Sequence, residues 1–286
     1  MSANPADDPL AGLASLRDTI ARHELAARKS LGQHFLLDPG VLDPVAGAAG
    51  DLSAATVFEI GPGPGGLTRA LVRAGARHVI AIERDRRCIA ALQDLVARLP
   101  ERLRVIEADA LGVDLAALAP PPRLIVANLP YNIASALLVK WLAEARQFDA
   151  MILMFQKEVA ERLVAAPRGP SYGRLSVIAQ FHCTVTRLFD LPPGAFWPPP
   201  KVHSSVVRLK PRLEPPPADP AVLARVTAAA FGQRRKMLRS SLKSLGVDVA
   251  ALLERTAIAP TARAEELSVA QFCTLANALA DPAAKF

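Results

Sequence analysis

The sequence predicts an α/β protein with a doubly wound, mainly parallel sheet, followed by a smaller all-helical domain. Short apolar runs of strand length alternate with helical segments through most of the chain. One of these strands runs directly into a glycine turn that opens a helix. The segment Glu214-Pro215-Pro216-Pro217 then precedes a purely helical region. We therefore predict a loose leader (residues 1–20), an α/β domain (21–212) and a helical domain (213–286).

Composition narrows the functional classes. The net charge of +7 and a pI near 9.7 favour a polyanionic partner such as nucleic acid. Cys88, Cys183 and Cys273 form no CxxC motif, which argues against a disulfide framework or a zinc site. The sequence shows no secretory signal and no apolar run of membrane-spanning length. We therefore expect a cytoplasmic protein without a bound metal, and no feature indicates a dimer, so a monomer is expected.

The first ordered segment expected after the leader is residues 28–36, which is basic and then contains glycine. It is too short for a helix and lacks strand alternation, so it is either a surface loop or a lid with Lys29 near a phosphate. Asp38-Pro39 then predicts a capped helix that runs to about Ala49.

A glycine turn follows the next predicted strand. Residues 56–60 form a short apolar run, Gly61-Pro62-Gly63-Pro64-Gly65-Gly66 follows, and residues 67–74 have a helical pattern. The spacing fits both GxGxG and GxGxxG, so it does not separate a methyl-donor site from a dinucleotide site. However, Pro62 and Pro64 remove two backbone N–H groups that a pyrophosphate would need. A ligand without phosphates therefore fits better.

Carboxylates end the next two strands. Residues 78–82 form a strand with Glu83 at its end, the position from which a carboxylate reaches ribose hydroxyls. Residues 103–106 form another strand, followed by Asp109. Asp109 either accepts a hydrogen bond from an adenine amino group or caps a helix.

The most informative stretch is Asn128-Leu129-Pro130-Tyr131, which follows the apolar strand at residues 123–127. Asn128 then lies just outside the carboxyl end of a strand, where parallel sheets bind their ligands. Its side-chain carbonyl and the Leu129 carbonyl are acceptors, and Pro130 restrains the backbone. With Tyr131 as a stacking ring, the motif suits a planar base that carries an NH2 group. The alternative is an Asn-Pro-type turn with a half-buried tyrosine.

The remaining elements of the α/β domain continue the alternation. We predict helices at residues 133–145 and 175–182, a helix opening at 155–158, and strands at 150–154, 184–191 and 204–209. The proline-rich residues 192–203 hold Phe196 and Trp197 near the surface. These rings are either aromatic plugs under a loop or, for Phe196, a second ring that clamps a flipped base against Tyr131.

The helical domain carries a basic segment. Asp219-Pro220 predicts a helix start, Gly246 a helix end, and Ser268 to Gln271 a capping box. Arg235, Arg239 and Lys243 recur every fourth residue, which on one helix would align three cations while Leu238, Leu242 and Leu245 face inward. This face either follows an RNA backbone or is merely solvated, and the absence of a matching acidic stripe favours the RNA.

Taken together, these motifs resemble the KsgA/RsmA family of small-subunit ribosomal RNA adenine dimethyltransferases. The resemblance runs from about Arg28 to Ala280. The segments that carry it are Gly32-Gln33-His34-Phe35-Leu36, Glu59-Ile60-Gly61-Pro62-Gly63-Pro64-Gly65, Asn128-Leu129-Pro130-Tyr131, Gln156-Lys157-Glu158, Tyr172-Gly173-Arg174-Leu175-Ser176, Phe196-Trp197-Pro198-Pro199-Pro200-Lys201-Val202 and Phe231-Gly232-Gln233-Arg234-Arg235-Lys236.

The resemblance implies a class I methyltransferase fold, Rossmann-like, with a seven-stranded mainly parallel sheet and S-adenosylmethionine as methyl donor. The implied donor contacts are His34, Leu36, Gly61, Gly63, Glu83, Asp109 and Asn128, with His34 contributing either its side chain or its backbone. The implied contacts to the target base are Asn128, Leu129, Pro130, Tyr131 and Phe196. The implied RNA contacts are Lys29, Arg234, Arg235, Lys236, Arg239 and Lys243. The family dimethylates two neighbouring adenosines in a hairpin near the 3′ end of the small-subunit RNA during ribosome assembly.

Other functions remain open at the level of sequence. The nearest is a large-subunit ribosomal RNA adenine methyltransferase of the antibiotic-resistance type. A mainly non-catalytic ribosome assembly factor is a second. A DNA adenine methyltransferase fits less well because no target-recognition domain is apparent, and the glycine turn alone would also allow a dehydrogenase.

Overall fold

The computed structural model describes residues 8–28 and 31–281, which form two compact units. The first unit extends to Ala160 and includes Thr186–Pro211, and the second comprises Glu161–Val185 and the chain from Arg212 onward. The predicted division at residues 212/213 lies one residue from the boundary between Pro211 and Arg212, and the prediction did not include Glu161–Val185 in the helical domain. That segment belongs there because Val177 and Phe181 are buried in the same apolar core as Leu223 and Phe272.

A seven-stranded sheet organises the first unit, with strand order β4-β3-β2-β5-β6-β9-β7. The strands are β2 (Thr56–Ile60), β3 (His78–Glu83), β4 (Leu103–Glu107), β5 (Arg123–Asn128), β6 (Ala150–Gln156), β7 (Cys183–Leu191) and β9 (Ser204–Pro211). β4, β3, β2, β5 and β6, which are neighbours in this order, are parallel. β9 pairs antiparallel with β6. The predicted mainly parallel sheet is confirmed, although residues 155 and 156 extend β6 rather than open the next helix.

A second, two-stranded sheet joins segments that are distant in sequence. β1 (Phe35–Leu36) pairs antiparallel with β8 (Phe196–Trp197), so that Phe35 lies opposite Trp197 and Leu36 opposite Phe196. The prediction that residues 28–36 lack strand structure is therefore wrong at Phe35 and Leu36. Two residues are too few to show alternation, and a pairing partner this remote leaves no local signal.

The first unit contains the helices predicted at residues 39–49, 67–74 and 133–145, and others that were not predicted. They are α1 (Leu16–Arg22), α2 (Pro39–Gly47), α3 (Gly66–Arg73), α4 (Arg86–Ala91), α5 (Gln93–Arg98) and α6 (Ala134–Ala143), and α7 (Lys157–Val164) begins in this unit. The Asp38 carboxylate caps α2, as predicted, by accepting from Gly40 N–H. Residues 1–7 of the predicted leader lie outside the described residues, and the later part of the leader is not loose, because Ser15 caps helix α1.

The second unit contains α8 (Arg174–His182), α9 (Pro220–Gly232), α10 (Leu238–Ser241), α11 (Val249–Arg255) and α12 (Val269–Ala280). Asp219 caps α9 and Ser268 forms a capping box with Gln271 at α12, as the sequence predicts. Gly246 has the expected left-handed conformation, at the end of a short 3-10 helix over Leu242–Leu245.

The basic segment is not one helix, so the predicted four-residue alignment of cations is wrong. Helix α9 ends at Gly232, Arg235 lies in a turn, and only Arg239 and Lys243 lie on the α10 and 3-10 segments. Further along the chain, Met237 pairs with Arg263 in an isolated antiparallel bridge before α10 begins. Of the three leucines predicted to face inward, Leu238 and Leu242 are fully buried and Leu245 is partly buried.

No helix within residues 8–28 and 31–281 combines the length and the apolar character that crossing a lipid bilayer requires.

Candidate active site

A cleft lies beside the carboxyl ends of β2, β3 and β5. Adjacent parallel strands end at one edge of a sheet, so the residues that follow them converge there. Nine of the predicted site residues line the cleft: His34, Leu36, Gly61, Gly63, Glu83, Asn128, Leu129, Pro130 and Tyr131.

The glycine turn forms one wall of the cleft. Gly61, Gly63 and Gly65 have φ angles of +66°, +55° and +90°, which residues with a side chain rarely adopt. A Cβ at Gly63 would also lie 3.0 Å from the ring of Phe35. The turn therefore depends on glycine both for its backbone conformation and for the close approach of strand β1.

The backbone donors of this turn are already used within the protein. Gly61 N–H donates to the Ile82 carbonyl at 2.9 Å and Gly65 N–H to the Pro62 carbonyl at 3.0 Å. Gly63 N–H donates to the Glu83 carboxylate at 3.2 Å, while Pro62 and Pro64 have no N–H. A pyrophosphate at residues 61–65 would find no free donor, so the geometry supports a ligand without phosphates.

Glu83 is held by backbone donors at the end of β3. Its carboxylate accepts hydrogen bonds from Arg84 and Asp85 N–H, both at 2.8 Å, as well as from Gly63 N–H. Burial nevertheless raises its pKa above the ordinary value, the hydrogen bonds opposing this shift only in part. The fixed acceptor lines the cleft, where ribose hydroxyls would donate to it.

Glu59 is a second buried carboxyl group in the cleft, and the sequence analysis assigned it no role. It lies on β2, is 1% exposed, and accepts a hydrogen bond from the Thr68 hydroxyl at 2.6 Å. Burial raises its pKa to about 8, so it is largely protonated at neutral pH. The signal was available, since residues 56–60 place one carboxylate within an otherwise apolar strand.

Asn128 is oriented by the segment that precedes β1. Its side-chain Nδ2 donates to the backbone carbonyl of His34 at 2.8 Å. A carbonyl accepts only from the NH2 end of an amide, so this bond fixes which end of Asn128 is the oxygen. Oδ1 is thereby left as the acceptor at the cleft. The His34 ring is also engaged within the protein, because its Nδ1 donates to the Pro198 carbonyl at 2.7 Å.

The ring of Tyr131 is held from two sides. Its hydroxyl forms a 2.5 Å hydrogen bond with the Ser204 hydroxyl. Its ring centroid lies 5.4 Å from that of His34, with the planes tilted by 32°. Burial raises the pKa of the phenol, so the ring stays neutral at physiological pH. Tyr131 is therefore a fixed, uncharged aromatic surface beside Asn128.

Two predicted site residues lie outside the cleft. Asp109 forms an ion pair with Arg84 at 3.2 Å and accepts from Leu111 N–H at 3.0 Å in a turn, so it caps no helix, and its adenine contact stays a prediction. Phe196 is 3% exposed and packs in the core of the first unit. The prediction that its ring presents a face to a base is not met in this structure, because β8 directs Phe196 inward and Trp197 outward.

The predicted RNA contacts in the second unit are exposed. They are Arg234, Arg235, Lys236, Arg239 and Lys243, whereas Lys29 lies outside the described residues. Arg234 donates weakly to the carbonyls of Pro170 and Tyr172, at 3.4 and 3.3 Å. Within the described part of the chain none of these five cations forms an ion pair, so their charge is available to a partner.

Comparison with known sequences gives a consistent family. The model of the family described as ribosomal RNA adenine dimethylase matches residues 24–281. A protein named ribosomal RNA small subunit methyltransferase A from Paramagnetospirillum magneticum is 61% identical over 271 residues, which cover 94% of this chain and 96% of the relative. A protein of the same name from Rhodospirillum rubrum is 56% identical, covering 96% of this chain and 95% of the relative.

Comparison with solved structures also finds RNA methyltransferases. A dimethyladenosine transferase from Plasmodium falciparum superposes with a TM-score of 0.73 at 29% identity, covering 85% of this chain and 96% of the other. The 23S rRNA methyltransferase ErmE superposes with a TM-score of 0.66 at 27% identity, covering 86% of this chain and 100% of the other.

Proposed function

Because the chain belongs to the ribosomal RNA adenine dimethylase family, we propose that it dimethylates two adjacent adenosines in a hairpin near the 3′ end of small-subunit (16S) ribosomal RNA. The methyl donor in this proposal is S-adenosylmethionine, and the substrate is the immature small ribosomal subunit in the cytoplasm. The relatives named small subunit methyltransferase A support this choice of substrate. The observation that carries the chemistry is the fixed orientation of the Asn128 amide at the cleft.

The residues of the cleft fit a methyl donor that carries ribose and no phosphate. Glu83 offers a buried carboxylate to hydroxyl donors, and residues 61–65 of the glycine turn offer no free N–H to a phosphate. S-adenosylmethionine would supply a methyl group bound to a positively charged sulfur. Once the methyl group is transferred, the sulfur becomes that of a neutral thioether. His34, Leu36, Gly61, Gly63 and Glu83 would hold the donor, while Asp109 would contribute only after releasing Arg84.

Asn128 and Leu129 prepare the target amine for attack. The lone pair of an adenine amine is delocalised into the ring, which makes the nitrogen a poor nucleophile. The Asn128 Oδ1 and the Leu129 carbonyl accept from its two N–H groups and draw the nitrogen toward tetrahedral geometry, so that the lone pair becomes available. As the new N–C bond forms, the amine gains acidity and releases its proton to water, and no strong general base is required.

Correct positioning of the base relative to the methyl donor then accounts for much of the rate acceleration. Pro130 fixes the backbone that carries the two acceptors, and Tyr131 provides a neutral ring on which the base stacks. Well-oriented reactants can gain about 7–11 kcal/mol over a reaction in solution. Phe196 remains a predicted base contact, which requires its ring to leave the core in which it is buried.

The RNA backbone is proposed to bind to the exposed cations of the second unit, which are Arg234, Arg235, Lys236, Arg239 and Lys243. Lys29 is a further predicted contact.

A second candidate function is methylation of large-subunit RNA, which the similarity to ErmE favours. We further propose that the protein acts as a monomer.

The proposal is tested by incubating the protein with methyl-labelled S-adenosylmethionine and unmodified small subunits, followed by nucleoside analysis of the RNA. We expect label in dimethyladenosine from small-subunit RNA. Large subunits under the same conditions provide the control, and label found only in their RNA would establish the second candidate. Binding to small subunits without any label in either RNA would instead indicate an assembly factor.

A further inference from the structure

We propose that Trp197 is a stacking platform for an unpaired RNA base that neighbours the target adenosine. This inference rests on the proposed function, and it assigns to Trp197 a role in positioning the substrate. The occupant is a nucleobase in a single-stranded part of the RNA. The expected contact is face-to-face stacking, which every base can make irrespective of its hydrogen-bonding pattern.

Trp197 is unusually exposed for a large aromatic residue. Its side chain is 44% exposed, whereas the preceding Phe196 is 3% exposed. The two residues alternate across strand β8, so the outward position is imposed by the strand. Among the described residues five large hydrophobic side chains are exposed, and Trp197 is the aromatic one. A purely structural indole would gain more by burial of that surface.

The indole is nevertheless held in place. Its ring stacks on that of Phe35 with a centroid distance of 6.5 Å and an interplanar angle of 27°. Phe35 and Trp197 are also paired across the β1–β8 sheet. The next residue is fixed as well, because the Pro198 carbonyl accepts a hydrogen bond from the His34 ring at 2.7 Å. A ring ordered in this way loses little further conformational entropy when a base stacks on it.

The platform is continuous with the cleft that holds the proposed target base. His34 and Phe35 both line that cleft, and the His34 carbonyl accepts from the Asn128 amide at 2.8 Å. Trp197 is therefore linked to Asn128 through a chain of direct contacts by way of Pro198 and His34. When one nucleotide of a single strand enters the cleft, its neighbour must lie at the rim, where an exposed aromatic face favours it.

Two substitutions at Trp197 distinguish aromatic stacking on an RNA base from a non-specific apolar contact with the RNA. Trp197→Phe keeps an aromatic face, and Trp197→Leu keeps apolar bulk without one. Base–aromatic stacking corresponds to a change of about 5- to 150-fold in affinity. We therefore expect Trp197→Leu to raise KM for the small subunit by about this factor, with kcat at saturating RNA and the Kd for the donor unchanged. Trp197→Phe should stay within about threefold of the parent protein.

Val139→Ala is the matched control, since Val139 is another exposed apolar residue of the first unit, 54% exposed on α6. It should leave KM unchanged. The inference is overturned if Trp197→Leu leaves KM unchanged, if Trp197→Phe and Trp197→Leu raise it equally, or if kcat or donor affinity falls instead of RNA affinity.

A binding readout that does not depend on turnover separates this inference from the proposed function. The chain has two tryptophans, and Trp141 is fully buried. An RNA hairpin with an unpaired loop should quench the fluorescence of the parent protein and not that of Trp197→Phe, while a fully paired duplex should quench neither. Quenching without methylation of small subunits would sustain the platform and refute the function. Methylation without this quenching would refute the platform alone.

Discussion

The side-chain amide of Asn128 donates to the backbone carbonyl of His34 at 2.8 Å, across 94 residues of sequence. This bond joins the end of strand β5 to the segment that enters β1. It gives the amide a single orientation, with Nδ2 directed toward the protein and Oδ1 toward the cleft. The proposed catalytic acceptor is thus fixed by a residue that itself lies in the wall of the donor site.

Removal of this amide should separate catalysis from donor binding. We expect Asn128→Ala to lower methyl transfer at saturating substrates by about 100-fold or more, the scale on which one preorganised hydrogen-bonding group acts in an active site. The Kd for S-adenosylmethionine should change by less than about tenfold, because Glu83 and the glycine turn remain. Single-turnover kinetics and calorimetric titration measure the two effects.

The matched control for this experiment is Asn277→Ala. Asn277 also donates from Nδ2 to a backbone carbonyl, that of Pro217 at 2.7 Å, but it lies in the second unit. Both variants lose the same kind of bond, so comparable losses of stability are expected, whereas only Asn128→Ala should lose activity. Near-normal turnover of Asn128→Ala would contradict its assigned role.

Glu59 should make stability depend on pH in a defined direction. Its pKa is raised from 4.5 to about 8 in the folded protein. Between pH 4.5 and about pH 8, Glu59 is protonated in the native state and ionised in the unfolded chain. Unfolding therefore releases a proton, and a higher pH favours unfolding. Glu59 should therefore lower the free energy of unfolding by up to about 1.4 kcal/mol per pH unit in this window, with little change below or above it.

The variant Glu59→Gln tests this dependence because it retains an acceptor for Thr68 but does not titrate. Urea unfolding at about pH 5.5 and about pH 7.5 should show a shallower decline for Glu59→Gln than for the parent protein. Glu101→Gln, at an exposed position, should keep the parental slope. Equal slopes in all three proteins would show that Glu59 is ionised when folded.

The exposed cations of the second unit should control the salt dependence of RNA binding. Each lost phosphate contact should reduce the slope of log K against log salt by about 0.7–0.9. We therefore expect the triple variant Arg235→Ala, Arg239→Ala, Lys243→Ala to bind small subunits more weakly and with a slope reduced by about 2. Filter binding at several salt concentrations measures this. Arg225→Ala, an exposed cation outside the basic segment on α9, should have little effect.

Gly66 should tolerate no side chain, because a Cβ there would lie 2.6 Å from the Leu36 carbonyl oxygen. We expect Gly66→Ala to lower the free energy of unfolding by about 1–3 kcal/mol, the usual cost of overpacking, and to weaken donor binding through displacement of β1. Gly47→Ala is the control, since Gly47 has open space around its Cβ position and should be neutral or slightly stabilising. An unchanged urea midpoint for Gly66→Ala would show that β1 moves freely.

Much of the fold could be predicted because its signals are local. Strands such as β5 and β6 are largely continuous apolar runs, as expected for strands buried on both faces of a sheet. Asp38, Asp219 and Ser268 mark helix starts through capping bonds that involve neighbouring residues only. The carboxyl ends of the strands then place Glu83 and Asn128 together without further information.

The structural features that could not be predicted depend on contacts between residues that are far apart in the sequence. The pairing of β1 with β8 decides that Trp197 faces outward and Phe196 inward, and a strand of two residues has no period from which to read this. The spacing of Arg235, Arg239 and Lys243 suggested one helix, but α9 ends at Gly232, before all three cations. By contrast, Gly232 was a local signal for this end, because glycine is among the weakest helix formers.

The discontinuous second unit has a consequence for synthesis of the protein on the ribosome. Val177 and Phe181 emerge from the exit tunnel well before Phe272, their partner in the core. Translation at about 5–20 residues per second makes this delay several seconds or longer. Protease treatment of stalled nascent chains should therefore cleave near α8 until the C-terminal helices have appeared. During that interval an apolar helix is exposed on the growing polypeptide, which makes it a natural target for chaperones.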